Sequence, residues 1–363
     1  MKIPKPLKSG STIAITAPSF GCTTEPYLSR YREAVRLFEE RGYKIVSGAT
    51  VSKDDGIGIS TSPQVAAAEL MEFYLDPSID AVISAGGGEL MCETLSFIDF
   101  KRLKDAPAKW FMGYSDNTNF VFPLATLSGT AAIYGHCITG FGKPWEQCEY
   151  DTLNILEGKS STVRGYGKFE LPDADERFGI TDPLSPYILT EKKTLRIFTP
   201  NNASLAQSDI QSDMQPDMQS DGGVSFEGIL LGGCLDVLNN IAGTRFDGVR
   251  DFIAGAGNVV WALESCDQSP LDIRRSLWHL KECGWFDTAS GFIIGRPLSA
   301  FSGEAFGVNK YNAVTDVLGE LGVPLVMDAD LGHVPPAMPL VIGSRACVSA
   351  LGDDICVKME LGV

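Results

Sequence analysis

The chain has 363 residues, of which 44% are hydrophobic and 21% charged, and it carries a net charge of −16. That acidity excludes nucleic acid and anionic membrane surfaces as partners, since their phosphates would be repelled; the length allows two domains, each with a sizeable core. The nine cysteines are scattered, odd in number and without a C-x-x-C pair, which excludes the pattern of a disulfide framework or a structural zinc module.

The chain begins MKIPKPLKSG, where lysines and prolines precede a short strand instead of a signal-peptide apolar region. No apolar run approaches the roughly 18 residues needed to span a bilayer, so a reduced, cytoplasmic protein is expected. STIAITAP (11–18) predicts a first strand ended by proline, and 27–41 has helical spacing with Gly42 as its stop. KIVSGA (44–49) predicts a second strand, 62–76 a helix and DAVISAGGG (80–88) a third strand. Short helical pieces at 89–97 and 100–103 precede an apolar approach to Ser115 and a helix after Asp116. This alternation predicts an α/β fold with a mostly parallel sheet, whose ligands sit at the carboxyl ends of strands. SAGGGEL and MGYSDN both fall at such ends.

AIYGHCITGFGKPWEQ (132–147) ends this layer, and 150–200 reads as irregular. SDIQSDMQPDMQSDGG (208–223) is a four-residue repeat whose proline and aspartates predict a solvated loop without chemistry. A second α/β layer follows: strand, glycine turn and helix (228–244), a strand (257–265), a capped helix (269–284), a strand (291–298), a helix (309–322), a strand and loop (323–333) and a closing hairpin (345–359). The expected organisation is an N-terminal domain at 1–150, a connector at 151–227 and a C-terminal α/β domain at 228–363.

Only three histidines are available for acid–base work. His279 lies at ordinary helical spacing and reads as a packed or surface residue. His136 follows a strand and lines a pocket or bonds within a turn. His333 is held in a loop by Gly332, Pro335 and Pro336, the rigid setting that a general base needs. Glu264 ends the apolar strand VVWALE, where a carboxylate emerging from a core must find a partner. Ser115 reads either as a helix cap or as a serine on a tight strand-to-helix turn. The three glycines of SAGGGEL bare backbone N–H groups for a phosphate or an oxyanion; G-x-G-x-x-G and a Walker lysine are both absent, which disfavours a dinucleotide.

Taken together, ITAPS, ISAGGGEL…FIDF (83–100), FMGYSDNTN (111–119), YGHCITGFG (134–142), LLGGCLDVLNNIAGT (230–244), WALES (261–265) and GHVPPAMPLVIG (332–343) resemble the LD-carboxypeptidase family of serine peptidases, which includes the microcin C immunity hydrolases. The segments run in family order over nearly the whole chain. The resemblance implies Ser115 as nucleophile, Glu264 as the acidic member and His333 as base. It also implies the N–H of Asp116 with one from Gly86 or Gly87 as oxyanion hole; Gly88 in the glycine turn and His136 after its strand are the expected substrate-binding positions. It implies a flavodoxin-like N-terminal domain carrying the serine, no metal or organic cofactor, a small peptide substrate and commonly a homodimer. The expected reaction cleaves an amide before a terminal D-amino acid in murein-derived peptides; the alternatives are hydrolysis of aminoacyl or peptidyl adenylates and ligand binding without cleavage. Two departures bear on substrate. Murein-cleaving members carry an arginine before the glycine pair and Tyr-Gly after it, where this chain has Ala85, Gly88 and Glu89. The immunity branch stacks adenine on a middle-region tryptophan, and 151–260 contains none.

Overall fold

The computed structural model describes residues 1–200 and 223–362. The repeat at 208–223 therefore lies, except for Gly223, outside the described residues. The first sheet contains β1 (Thr12–Thr16), β2 (Lys44–Ser47), β3 (Ala81–Ser84), β4 (Trp110–Gly113) and β5 (Ala132–Tyr134), parallel in the order β2-β1-β3-β4-β5. A short strand, Leu340–Ile342, adds antiparallel to the outer edge of β5. Strands β3 and β4 are buried throughout because helices cover both faces, which is why AVIS and WFMG read as apolar runs without alternation. β2 sits at an edge, and its sequence KIVS is largely exposed. This is the flavodoxin-like strand order, with its topological switch point between β1 and β3. The segments that leave those two strands, Ala17–Ser19 and Ala85–Gly88, meet there: Phe20 N donates to Gly87 O at 3.1 Å.

Among the described residues the second sheet has eight strands. Its centre is four parallel strands, Val224–Cys234, Val259–Glu264, Ala289–Gly295 and Leu325–Ala329. On one side the hairpin Arg345–Leu351/Asp354–Glu360 continues antiparallel, with strict buried–exposed alternation along Arg345–Leu351 as expected of a half-solvated sheet. The region read as irregular supplies both outer edges, Thr162–Arg164 and Arg196–Phe198, along with a two-stranded pair, Lys168–Phe169 with Glu191–Lys192. Three-residue edge strands such as TVR and RIF are too short to show a period, and charge at an edge opposes unwanted pairing.

Helix Thr118–Thr126 lies between the two layers with nearly every residue buried. Its Phe122 stacks on Trp285 at 5.1 Å and packs beside Trp261, which joins both sheets into one continuous core. Thr118 Oγ1 accepts from Cys234 N at 3.0 Å, tying the start of this helix to the end of the second sheet's central strand. Helix Pro270–Glu282, expected to be capped, begins with a box of Ser269 and Asp272, each side chain bonding the other's backbone. Among the described residues, no helix is long and apolar enough to cross a membrane.

Candidate active site

After β4 ends at Gly113 the chain turns sharply, and Ser115 takes φ 61°, the left-handed region that costs a non-glycine residue on the order of 1–3 kcal/mol. Local bonds hold it there. Ser115 N donates to Tyr134 Oη at 3.1 Å, Thr118 Oγ1 donates to Ser115 O at 2.7 Å, and Asn117 Nδ2 donates to Tyr114 O at 3.0 Å. The helix that follows has Asn117 at its cap position with no side-chain cap bond, so the serine hydroxyl is not spent on capping. Its partner is His333 Nε2, 2.9 Å away.

His333 Nδ1 in turn lies 2.8 Å from Glu264 Oε2. Glu264 is 2% exposed at the end of its strand, and its other oxygen accepts from Tyr134 Oη. Gly332 makes this approach possible. Its φ is +95°, and a Cβ there would stand 2.4 Å from Glu264 Oε2. The loop is anchored upstream by Asp330, which is fully buried. Asp330 Oδ1 takes Arg296 Nη2 at 2.6 Å, Oδ2 accepts from Tyr166 N at 2.6 Å with Lys193 Nζ at 3.5 Å, and its carbonyl accepts from Met338 N at 2.7 Å. Burial pulls the His333 pKa down, but the charge of Glu264 and hydrogen bonds with Cys266 and Glu264 outweigh it and hold the imidazole well above its usual value.

The glycine turn meets the serine from the other side. Gly86 O accepts from Ser84 Oγ at 2.8 Å and from Asn117 Nδ2 at 2.9 Å. The planar peptide then aims the Gly87 N–H in the opposite direction. Gly87 itself is close to the hydroxyl: a Cβ there would lie 3.1 Å from Ser115 Cβ and 3.2 Å from Oγ. The carboxylate of Asp116 points away from the hydroxyl and knits the segments together, accepting from Ser19 Oγ at 2.5 Å, Met91 N at 2.8 Å and Asn119 Nδ2 at 2.8 Å. Burial raises its pKa, and those three bonds oppose the rise.

Two cavities flank the serine–histidine pair. The larger, about 490 Å³, is lined by Arg30, Tyr114, His136, Lys143, Tyr187 and His333 among others. The smaller, about 60 Å³, holds Ser115 with Gly88, Glu89, Asp236 and Asp267. Of the two expected substrate-lining residues, Gly88 lines the smaller cavity and His136 the larger. Residues that sequence reasoning did not single out are Tyr134, which bridges the serine backbone and Glu264, and Tyr114, whose ring is 5.1 Å from the His333 ring. The position of Tyr134 at the end of β5, level with the end of β4, was the available signal.

Residues 13–135 match the LD-carboxypeptidase N-terminal domain and 227–348 the LD-carboxypeptidase C-terminal domain. The microcin C7 self-immunity protein MccF of Escherichia coli is 26% identical over 361 residues, covering 98% of this chain and 95% of that protein. A probable murein peptide carboxypeptidase of Bacillus subtilis is 24% identical over 352 residues, covering 95% and 91%. Among solved structures, MccF in complex with aspartyl sulfamoyl adenosine superposes with a TM-score of 0.75 at 22% identity over 99% of both chains. Muramoyltetrapeptide carboxypeptidase from Oxalobacter formigenes gives 0.68 at 19% identity, over 96% of this chain and 98% of that one. Both halves of the chain, in the family's own order, therefore place this protein in the LD-carboxypeptidase family of serine peptidases.

Proposed function

We propose that the chain hydrolyses an amide or amide-like bond through an acyl-enzyme on Ser115, with His333 as general base and Glu264 as its orienting carboxylate. The observation that carries this reading is the unbroken relay Ser115 Oγ to His333 Nε2 and His333 Nδ1 to Glu264 Oε2, at 2.9 and 2.8 Å. In the first step Ser115 Oγ attacks the acyl carbon while its proton passes to His333, and Glu264 stabilises the resulting imidazolium. The developing oxyanion is met by the N–H groups of Asp116 and Gly87, each contributing roughly 3–4 kcal/mol in well-studied hydrolases. His333 then protonates the leaving amine, and water repeats the sequence to release the acid.

The favoured substrate is a murein-derived peptide with an L,D bond before a terminal D-amino acid, in keeping with the family and its carboxypeptidase relatives. A second reading, hydrolysis of an aminoacyl or peptidyl adenylate, is supported by the likeness to MccF over almost the full length of both chains. A fluorophosphonate probe and two substrates test these readings. Labelling at Ser115, lost in Ser115→Ala with the melting temperature retained, is expected. Absence of labelling in the folded wild type would leave a binding protein. Cleavage of an L,D-tetrapeptide supports the first substrate. Cleavage of an aminoacyl sulfamoyl adenosine analogue with none of the tetrapeptide would replace it with the second.

A further inference from the structure

In the wall of the larger cavity, three side chains of different ligand chemistry converge away from Ser115. His136 is 9% exposed and lines the cavity; Cys148 and Glu149, 0% and 1% exposed, open helix Gln147–Leu156 behind it. One ligand atom from each lies within 4.8 Å of the other two. His136 Nε2 and Glu149 Oε1 are 3.4 Å apart, within ion-pair range, yet that oxygen makes no hydrogen bond and neither does His136 Nδ1. A buried carboxylate oxygen without a donor is costly and requires an account. The other oxygen, Oε2, is satisfied: it accepts from Cys148 Sγ at 3.2 Å and from Glu146 N at 2.8 Å, the latter capping the helix. Tetrahedral coordination with metal–nitrogen and metal–oxygen bonds near 2.1 Å puts the two ligand atoms about 3.4 Å apart, the spacing seen between His136 and Glu149.

We propose that His136, Cys148 and Glu149 form a transition-metal site of the Zn²⁺ type, set behind the cavity wall to which His136 belongs. Imidazole with thiolate and carboxylate suits Zn²⁺ or Co²⁺ and not Mg²⁺ or Ca²⁺, which prefer all-oxygen shells. Binding would displace the thiol proton of Cys148. The negative charge of thiolate and carboxylate then balances the dication. The relay at Ser115 does not pass through this site, so it is a separate property of the cavity wall.

The test uses the untagged full chain, stripped with a chelator and titrated with Co²⁺. One equivalent should bind and give a thiolate-to-cobalt charge-transfer band, which Cys148→Ser should lose and His136→Gln should weaken, with melting temperatures recorded for both. Should Cys148→Ser fail to fold, Glu149→Gln, which keeps the thiolate and removes the carboxylate ligand, should weaken Co²⁺ binding, and unchanged affinity in that folded variant would count against the site. A stripped wild-type chain that binds no Co²⁺, or one whose band persists unchanged in the folded Cys148→Ser protein, would overturn the proposal. Ser115→Ala, in which hydrolysis is removed, should bind Co²⁺ as the wild type does.

Discussion

Replacing Tyr134 with phenylalanine removes one oxygen and leaves the ring in place. That hydroxyl is buried, donates to Glu264 Oε1 and accepts from Ser115 N at 3.1 Å. A hydrogen bond to a charged group contributes about 1.5–3 kcal/mol, and a buried N–H left without a partner costs about 1–3 kcal/mol. Relaxation at the small cavity beside Ser115 recovers part of this, so Tyr134→Phe should destabilise the fold by about 2–4 kcal/mol. With an unfolding entropy of about 2.1 cal/mol/K per residue, each kcal/mol lowers the melting temperature of a chain this long by a little over about 1 °C. Catalysis should suffer as well, because the strained backbone of Ser115 loses an anchor and Glu264 loses the donor that fixes its second oxygen. Misplacement of a reacting group by about 1 Å costs on the order of 100-fold, so kcat should fall about 10- to 100-fold with KM little changed. Thermal melts and initial rates on the preferred substrate measure both effects. A variant that melts within a degree of wild type and keeps its kcat would refute the bridging role assigned to this hydroxyl.

Three further outcomes follow from the same geometry. His333 must be neutral to accept a proton, and its pKa is held up by Glu264, so the acidic limb of kcat/KM should lie above the ordinary histidine value of about 6.5, with activity appearing as pH rises through it. In Glu264→Gln burial remains and the charge is gone, so a pH–rate profile should show that limb displaced downward at a much lower plateau; an unmoved limb would detach Glu264 from the base. The stabilising interaction of protonated His333 with Glu264 should be fully present below about pH 6.5 and fade as pH rises through the raised folded value, measurable as a wild-type minus Glu264→Gln difference in urea unfolding. Gly332→Ala, with a Cβ 2.4 Å from Glu264 Oε2 at φ +95°, should cost about 3 kcal/mol or more and abolish activity, whereas Gly87→Ala should keep near-native stability and lose about tenfold or more in kcat by displacing Ser115, both read from melting curves and rates.

The parts of this molecule legible in its sequence are those set by local chemistry. Glycine stops, proline breaks and apolar runs located β1 to β4 and the central strands of the second sheet, because buried parallel strands and capped helices announce themselves within a few residues. Ser115 was ambiguous locally for a physical reason: a serine opening a helix and a serine on a strained turn have the same neighbours. Its φ of 61° and the bond to His333 depend on a residue 218 positions away. The strand Leu340–Ile342 was hidden inside a proline-rich loop, since three residues on an edge carry no period. Tyr134 and Asp330 carry no local signal, because a tyrosine ending a strand and an aspartate in a loop are common. What distinguishes them is partners that only the tertiary fold supplies.

The route of the chain around His333 fixes how wide the cleft can open. It leaves the second sheet at Ala329, carries the histidine past Glu264 and Ser115, and enters the first sheet at Leu340, whose register partner is Tyr134. The loop bearing His333 is thus stitched into both layers, like a clasp fastened at either end. A hinge that parted the layers would first have to strip Leu340–Ile342 from β5 and draw Phe122 away from Trp285. Parting the layers therefore costs contacts of the core itself, and in a denaturant titration the chain should lose its activity in step with its global fold.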